Sequence, residues 1–345
     1  MLHRKNMKLV NKLIAGLALS AVLVSLTVEA KTKSSNQASS KTAKKSESNK
    51  DLSKEDQKFV ELREAAKVND IAKANTLAAQ LNKHDLADYV SYFQIKPQLF
   101  DKGMQARSDT AADAAANNFL KTYAGTAIAD RLRNDYLLVL GKRQDWTNFD
   151  REYAQFQLDD DTQVKCYALQ SRMAKGEDSK ILGSEAKNIL LDPQYFGEAC
   201  PELVQSLQRA GGLTKYEALA IGRIALENNY ETLAKRTGGE DPIADIVKKA
   251  RVDPAQAFRD FEKKEWRTGR ENTAAAWGVI GQFLAKKLDR QAIKAYRLQH
   301  EAGHHKLLSA ESQEWKVRTA LREGDWKLVQ ESIENMSPAI RKRDP

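Results

Sequence analysis

Gly141-Lys142-Arg143-Gln144-Asp145-Trp146-Thr147-Asn148-Phe149 is the stretch that decides the fold. A short polar turn parts two apolar runs, with a Gly to end one helix in a left-handed conformation and an Asp to cap the next. The figure returns at Arg322-Glu323-Gly324-Asp325-Trp326-Lys327-Leu328-Val329. Each copy reads as a helical hairpin whose second helix begins with Asp-Trp.

Outward from these copies, similar polar breaks recur at Val68-Asn69-Asp70, Lys175-Gly176-Glu177-Asp178, Asn228-Asn229 and Lys287-Leu288-Asp289. Between them the apolar residues keep a helical period: Trp277, Ile280, Phe283, Leu284 and Leu288 fall on one helical face. Phe59, Leu62, Ala66, Val68 and Ile71 are less regular, but Ala, Lys, Glu, Gln and Leu dominate there and favour helix. Asp88 to Ile95 (DYVSYFQI) is the best strand candidate; it reads equally as an aromatic helix face, and a lone strand would lack a partner. Hairpins of roughly 30 to 45 residues that cannot bury their faces alone are the mark of an α-solenoid. The expectation is an all-α, right-handed superhelix of about eight irregular, tetratricopeptide-like hairpins between Leu52 and Met336. Residues 51–345 are expected to form this domain, with Ser337 to Pro345 a short, charged, Pro-bounded tail that reads as a frayed end or a truncation point. An open-ended solenoid without a capping repeat exposes an apolar face, so a tendency to self-associate or be degraded is expected.

The N-terminus has another character. Arg4, Lys5, Lys8 and Lys12 precede an apolar run from Leu13 to Val28, shorter than the ~20 residues of a membrane span. Val28-Glu29-Ala30 offers a cleavage point after Ala30, making residues 1–30 a signal peptide; no Cys follows to carry a lipid. An uncleaved anchor would equally leave the body outside the cytoplasm. Residues 31–50 hold Lys, Ser, Thr, Asn and Ala with no large apolar group, and read as a disordered tether. The formal charge of +9 is concentrated here. Leader and tether carry +3 and +5, leaving +1 for the rest, so the basic footprint of a nucleic-acid-binding domain is missing. The two cysteines, Cys166 and Cys200, read as a disulfide in an oxidising compartment; no CxxC motif or nearby His supports a metal or redox role.

The order of several motifs carries a family resemblance. Gln163-Val164-Lys165-Cys166-Tyr167-Ala168-Leu169 and Glu198-Ala199-Cys200 follow the Gly141 to Trp146 turn, and Trp315-Lys316-Val317-Arg318-Thr319-Ala320-Leu321 leads into Asp325-Trp326. Together they resemble the N-terminal superhelical region of soluble lytic murein transglycosylases, from about Leu52 to the C-terminus. The resemblance implies a periplasmic protein whose partner is the glycan strand of peptidoglycan. The family's enzymes cleave that strand between N-acetylmuramic acid and N-acetylglucosamine, leaving 1,6-anhydro ends. Their catalytic domain carries a Glu-Ser motif with a following aromatic and Pro, and that domain is missing here. Glu331-Ser332, Glu47-Ser48 and Glu311-Ser312 imitate the motif without its sequel, so no catalytic residue is assigned and the chain alone is expected to be inactive.

Two other readings compete. A stand-alone helical-repeat module would bind a periplasmic protein partner. His300-Glu301-Ala302-Gly303-His304 matches the zincin signature, in which two His one turn apart hold Zn²⁺ and the Glu polarises water. Against it, Gly303 weakens the helix, the run resembles a helix C-terminus, and a third ligand is uncertain between Glu323 and Glu331. No metal or cofactor is therefore assigned. His3 and His84 are isolated. Trp146, Trp266, Trp277, Trp315 and Trp326 are expected in the core, with a shared packing role for Trp146 and Trp326.

Overall fold

The structure, a computed structural model, describes residues 52–193, 197–263, 269–303, 308–336 and 338–342. Its helices are α1 Lys54–Lys67, α2 Ile71–Ala79, α3 Ala87–Leu99, α4 Thr110–Thr122, α5 Ala127–Arg143 and α6 Trp146–Tyr153. They continue as α7 Thr162–Ala174, α8 Ser179–Leu190, α9 Ala199–Arg209, α10 Lys215–Glu227, α11 Glu231–Gly238 and α12 Ala244–Val252. The last are α13 Pro254–Lys263, α14 Arg270–Lys286, α15 Gln291–Ala302, α16 Ala310–Arg322, α17 Trp326–Asn335 and the short α18 Pro338–Arg341. Among the described residues there is no strand, only an isolated bridge between Phe100 and Ala106. The strand candidate Asp88 to Ile95 lies inside α3, where Val90, Tyr92, Phe93 and Ile95 are buried. The leader and tether expected over residues 1–50 fall outside the described residues. No described helix is long and apolar enough to cross a membrane.

Packing is almost one-dimensional. Most helices meet the next one in the chain, and one helix of each hairpin also meets its counterpart in the following hairpin, as in a superhelix of stacked hairpins. From α1 to α9 the odd-numbered helices form the continuous row, α1 on α3, α3 on α5, α5 on α7, α7 on α9 and α9 on α11. Beyond α10 the even-numbered helices take over, α10 on α12, α12 on α14 and α14 on α16. The switch occurs because α9 has no hairpin partner of its own. It stands between four hairpins before it and four after it among the described residues, and it interrupts any strict repeat.

The caps follow the side chains. Asp70, Asp109, Asp145, Asp161, Asp178 and Asp325 each accept a backbone N–H in the first turn of a helix. Each such cap contributes about 1 kcal/mol. The deciding turn differs from expectation in one respect: Gly141 does not end α5. The helix runs to Arg143, and Gln144 takes the left-handed conformation at φ 57°. Gly141 serves the packing, since a Cβ there would overlap the ring of Tyr167 on α7. Leu288 also departs from its expected helical face. It follows α14 at φ 55° and is 68% exposed.

Candidate functional site

The helix row α3, α5 and α7 carries a cavity of about 250 Å³ with mixed polar and apolar walls, bounded by the 100–106 loop and by Glu198 just before α9. The loop is held by its own chemistry. Phe100 and Ala106 form the bridge, Asp101 Oδ1 accepts from the amides of Gly103 and Gln105 at 2.8 Å, and Asn69 Nδ2 donates to the Asp101 carbonyl at 2.7 Å. Helix α5 contributes Asp135, Leu138 and Lys142, one and two turns apart. Helix α7 contributes Gln163 and Tyr167, again a turn apart.

Every acid of this cavity is already matched. Asp135, buried, accepts from the Tyr92 hydroxyl at 2.9 Å and from Lys96 Nζ at 3.3 Å. Burial and the Asp135 carboxylate together hold the Tyr92 phenol well above its ordinary range. Asp161 caps α7 through the amides of Gln163 and Val164, and its second oxygen accepts from Asn134 Nδ2 at 3.1 Å. Glu198 Oε2 accepts from Lys142 Nζ at 3.1 Å, while its backbone N–H donates to Gln163 Oε1 at 2.9 Å. Tyr167 is different. It is 3% exposed, its ring packs edge-on to Phe149, and its hydroxyl hydrogen-bonds to no described residue. Burial, helped by the carboxylates of Glu202, Glu198 and Asp161, pushes its phenol up to about 12.

Next to the cavity, Cys166 and Cys200 form the disulfide expected from their number, joining α7 to α9 with Cα atoms 5.2 Å apart. Gln170 Nε2 donates to the Ala199 carbonyl at 2.8 Å beside it. The unpaired helix is thus fastened at the residues that flank Glu198. A second cavity, about 340 Å³, lies between α10, α11 and α12, bordered by the Glu231–Lys248 ion pair at 3.0 Å.

The zincin look-alike takes another form. Helix α15 ends at Ala302, and Gly303 adopts φ 85°, so His300 and Glu301 sit in a last turn rather than mid-helix. His304 lies outside the described residues. Of the two carboxylates considered as partners, the structure brings Glu331 to His300, Nε2 to Oε2 at 3.0 Å; Glu323 pairs with Arg322 at 3.1 Å. The other ring nitrogen of His300, Nδ1, faces Lys316 Nζ at 3.3 Å. With an ammonium on Nδ1, the proton belongs on Nε2, directed at Glu331. Burial and the Lys316 charge both hold the His300 pKa below its usual value, consistent with a neutral ring. Both nitrogens are engaged within the protein, and among the described residues no group of three ligating side chains could hold a metal.

The other sequence candidates disperse. Glu311 pairs with Lys286 at 2.8 Å and accepts from Gln282, and Glu331 belongs to His300. Glu47-Ser48 and Trp266 are outside the described residues. Trp277 is core, 7% exposed against Phe258 and Phe261, and Trp315 is half-buried beneath the Arg318 guanidinium. The shared packing role expected for Trp146 and Trp326 is overturned. Trp146 is half-buried against Phe149, whereas Trp326 is 70% exposed.

Glu227, at the C-terminal end of α10, stands in no motif of the sequence. Its Oε2 accepts from the Ser309 hydroxyl at 3.1 Å, and burial raises its carboxyl to about 7. A carboxylate near neutrality has no signature in the chain, because the crowding comes from α14 and α16.

No protein-family model matches the chain, and no curated protein matches it. Among solved structures, the chain is similar to an inactive mutant of the lytic transglycosylase Slt from Pseudomonas aeruginosa, with 17% identity and a TM-score of 0.40, over 83% of this chain and 50% of that one. The chain therefore spans about half the length of that protein.

Proposed function

We propose that this chain is a helical scaffold of the bacterial cell envelope, of the kind found in peptidoglycan lytic transglycosylases, and that it holds glycan strands without cutting them. The observation that carries the reading is where the resembling motifs stand. Asp145 and Asp325 cap the second helix of their hairpins, and Cys166 and Cys200 join the helices that bear the other two motifs. The disulfide and the signal-like leader both support export to the periplasm.

The absence of cutting rests on the carboxylates. Strand cleavage needs a general acid in a cleft with groups that grip the sugar. Among the described residues, Glu227 is the carboxyl raised to near neutrality, and its oxygen is committed to Ser309 in a helix junction.

Purified peptidoglycan sacculi test the proposal. The protein should co-sediment with sacculi and release no muropeptides. Release of 1,6-anhydro products by this chain alone would refute the inactivity. Failure to sediment, together with selective capture of one periplasmic protein, would favour a protein-binding module instead.

A further inference from the structure

The cavity between α5 and α7 has a composition that selects its ligand. Its three carboxylates are each engaged from within: Asp135 by Lys96, Glu198 by Lys142, and Asp161 by the first-turn amides of α7. Two of the three are already ion-paired, which leaves little for a cation to gain, and an anion would meet three carboxylates and a lysine already paired with Glu198. What stays free is a balanced set of hydrogen-bond donors and acceptors. The Tyr167 hydroxyl can donate and accept, the Gln163 amide nitrogen can donate, and the second Glu198 oxygen can accept.

Tyr167 sharpens the point. Its ring is buried, and a phenol so placed commonly finds a hydrogen-bond partner inside the protein. Here no described residue hydrogen-bonds to the hydroxyl, which is left open to the cavity that Tyr167 lines, so a molecule held there can partner it. The volume, about 250 Å³, would take about eight waters at the ~30 Å³ that each occupies in the liquid, or a single sugar ring.

We infer that this cavity binds one neutral sugar unit of a glycan strand, with the Tyr167 hydroxyl, the Gln163 amide and the free Glu198 oxygen hydrogen-bonding its hydroxyl or amide groups. The inference rests on the scaffold reading for the source of the sugar, but its chemistry is that of the cavity itself.

Titration calorimetry with the tetramer of N-acetylglucosamine tests it, with the cationic, fully de-N-acetylated tetramer as comparison. Tyr167→Phe removes one oxygen and keeps the ring that packs on Gly141, so its melting temperature should match the parent. Gln163→Glu keeps an acceptor for the Glu198 amide while replacing the free donor by a charge. Each substitution should weaken the neutral tetramer by about three- to tenfold, the equivalent of one hydrogen bond. The cationic tetramer should bind the parent more weakly than the neutral one and gain only in Gln163→Glu. No heat at millimolar tetramer, unchanged affinity in both variants, or tighter binding of the cationic tetramer to the parent would overturn the assignment. Sacculus sedimentation by the same proteins separates the two claims. If sacculi are held but the tetramer does not bind, the cavity is wrong and the scaffold stands; if the tetramer binds through Tyr167 but sacculi are not held, the reverse follows.

Discussion

Glu227 and Lys316 are two buried charges whose costs fall on opposite sides of neutrality. Burial raises the Glu227 carboxyl from an ordinary 4.5 to about 7; Ser309, Lys286 and Gln282 oppose the shift, and Glu311 reinforces it. Folding therefore takes up a proton between those values, so its contribution is fully present below about 4.5 and is lost as pH rises through about 7. Lys316 runs the other way: burial lowers its ammonium from 10.5 to about 8, against the attraction of Glu331. The folded chain holds fewer protons than the unfolded one from about 8 to 10.5, and stability climbs across that window. Glu227→Gln keeps an acceptor for Ser309 and abolishes the titration. Urea unfolding should show the variant equal to the parent near pH 4.5 and more stable above pH 7; an offset that does not vary with pH would contradict this. At Gly141 the constraint is steric. Gly141→Ala drives a methyl into the Tyr167 ring and should cost about 1–3 kcal/mol, the usual range for overpacking, seen as a lower denaturation midpoint at unchanged m-value.

At the scale of elements, the Cys166–Cys200 bond holds α9, the helix that stands without a hairpin partner between the two sets of hairpins. Closing a 34-residue loop restricts the unfolded chain by roughly 3–4 kcal/mol in the chain-entropy model. Replacing both cysteines by Ala should lower stability by about that amount, and protease sites in α9 should open before those of the hairpins. Asp145→Ala should cost about 1 kcal/mol by removing the cap on α6. Those two features were legible, because a cap and a cysteine pair are written locally. The same holds for helix content and for the breaks at Asn69, Gly176, Asn229 and Gly324, which all take positive φ. Other features were not legible. The phase switch at α9 depends on which rows pack, and no periodicity within a helix records that. Trp326 follows its Asp in the same way as Trp146, yet one lies in water because burial is decided by the neighbouring hairpin. The cavity draws on the 100–106 loop, α5, α7 and the start of α9, so its residues share no motif spacing. Only Lys142, Gln163, Tyr167 and Glu198 fell within stretches that the resemblance singled out.

A chain packed only on its nearest neighbours should come apart piecemeal, since each hairpin is stabilised by two others. This molecule contains a counterweight. The backbone N–H of Ala310, first residue of α16, donates to the carbonyl of Leu191, just past α8, at 2.9 Å. Beside it, Ser309 Oγ reaches Glu227, and α10 touches α14. The Ala310–Leu191 bond joins segments on the two sides of the phase switch without passing through the helices between them, and so couples the early and late hairpins, while the Ser309–Glu227 bond and the α10–α14 contact brace the late side. A single substitution can cut the link and spare the helix. Ala310 occupies the N1 position of α16, where proline is well tolerated, and Ser309 before it already has φ −56° and ψ 152°, the conformation a following proline requires. Ala310→Pro deletes the one N–H that serves Leu191 and sets ring atoms against that carbonyl. Helix content by circular dichroism should stay at the parent level. Native-state hydrogen exchange should then show the amides of α8 and those of α16 and α17 losing protection together while α1 to α5 stay unchanged. Uniform loss along the whole array, or no change anywhere, would mean that the contact carries no coupling and that the hairpins on either side of α9 are stabilised independently.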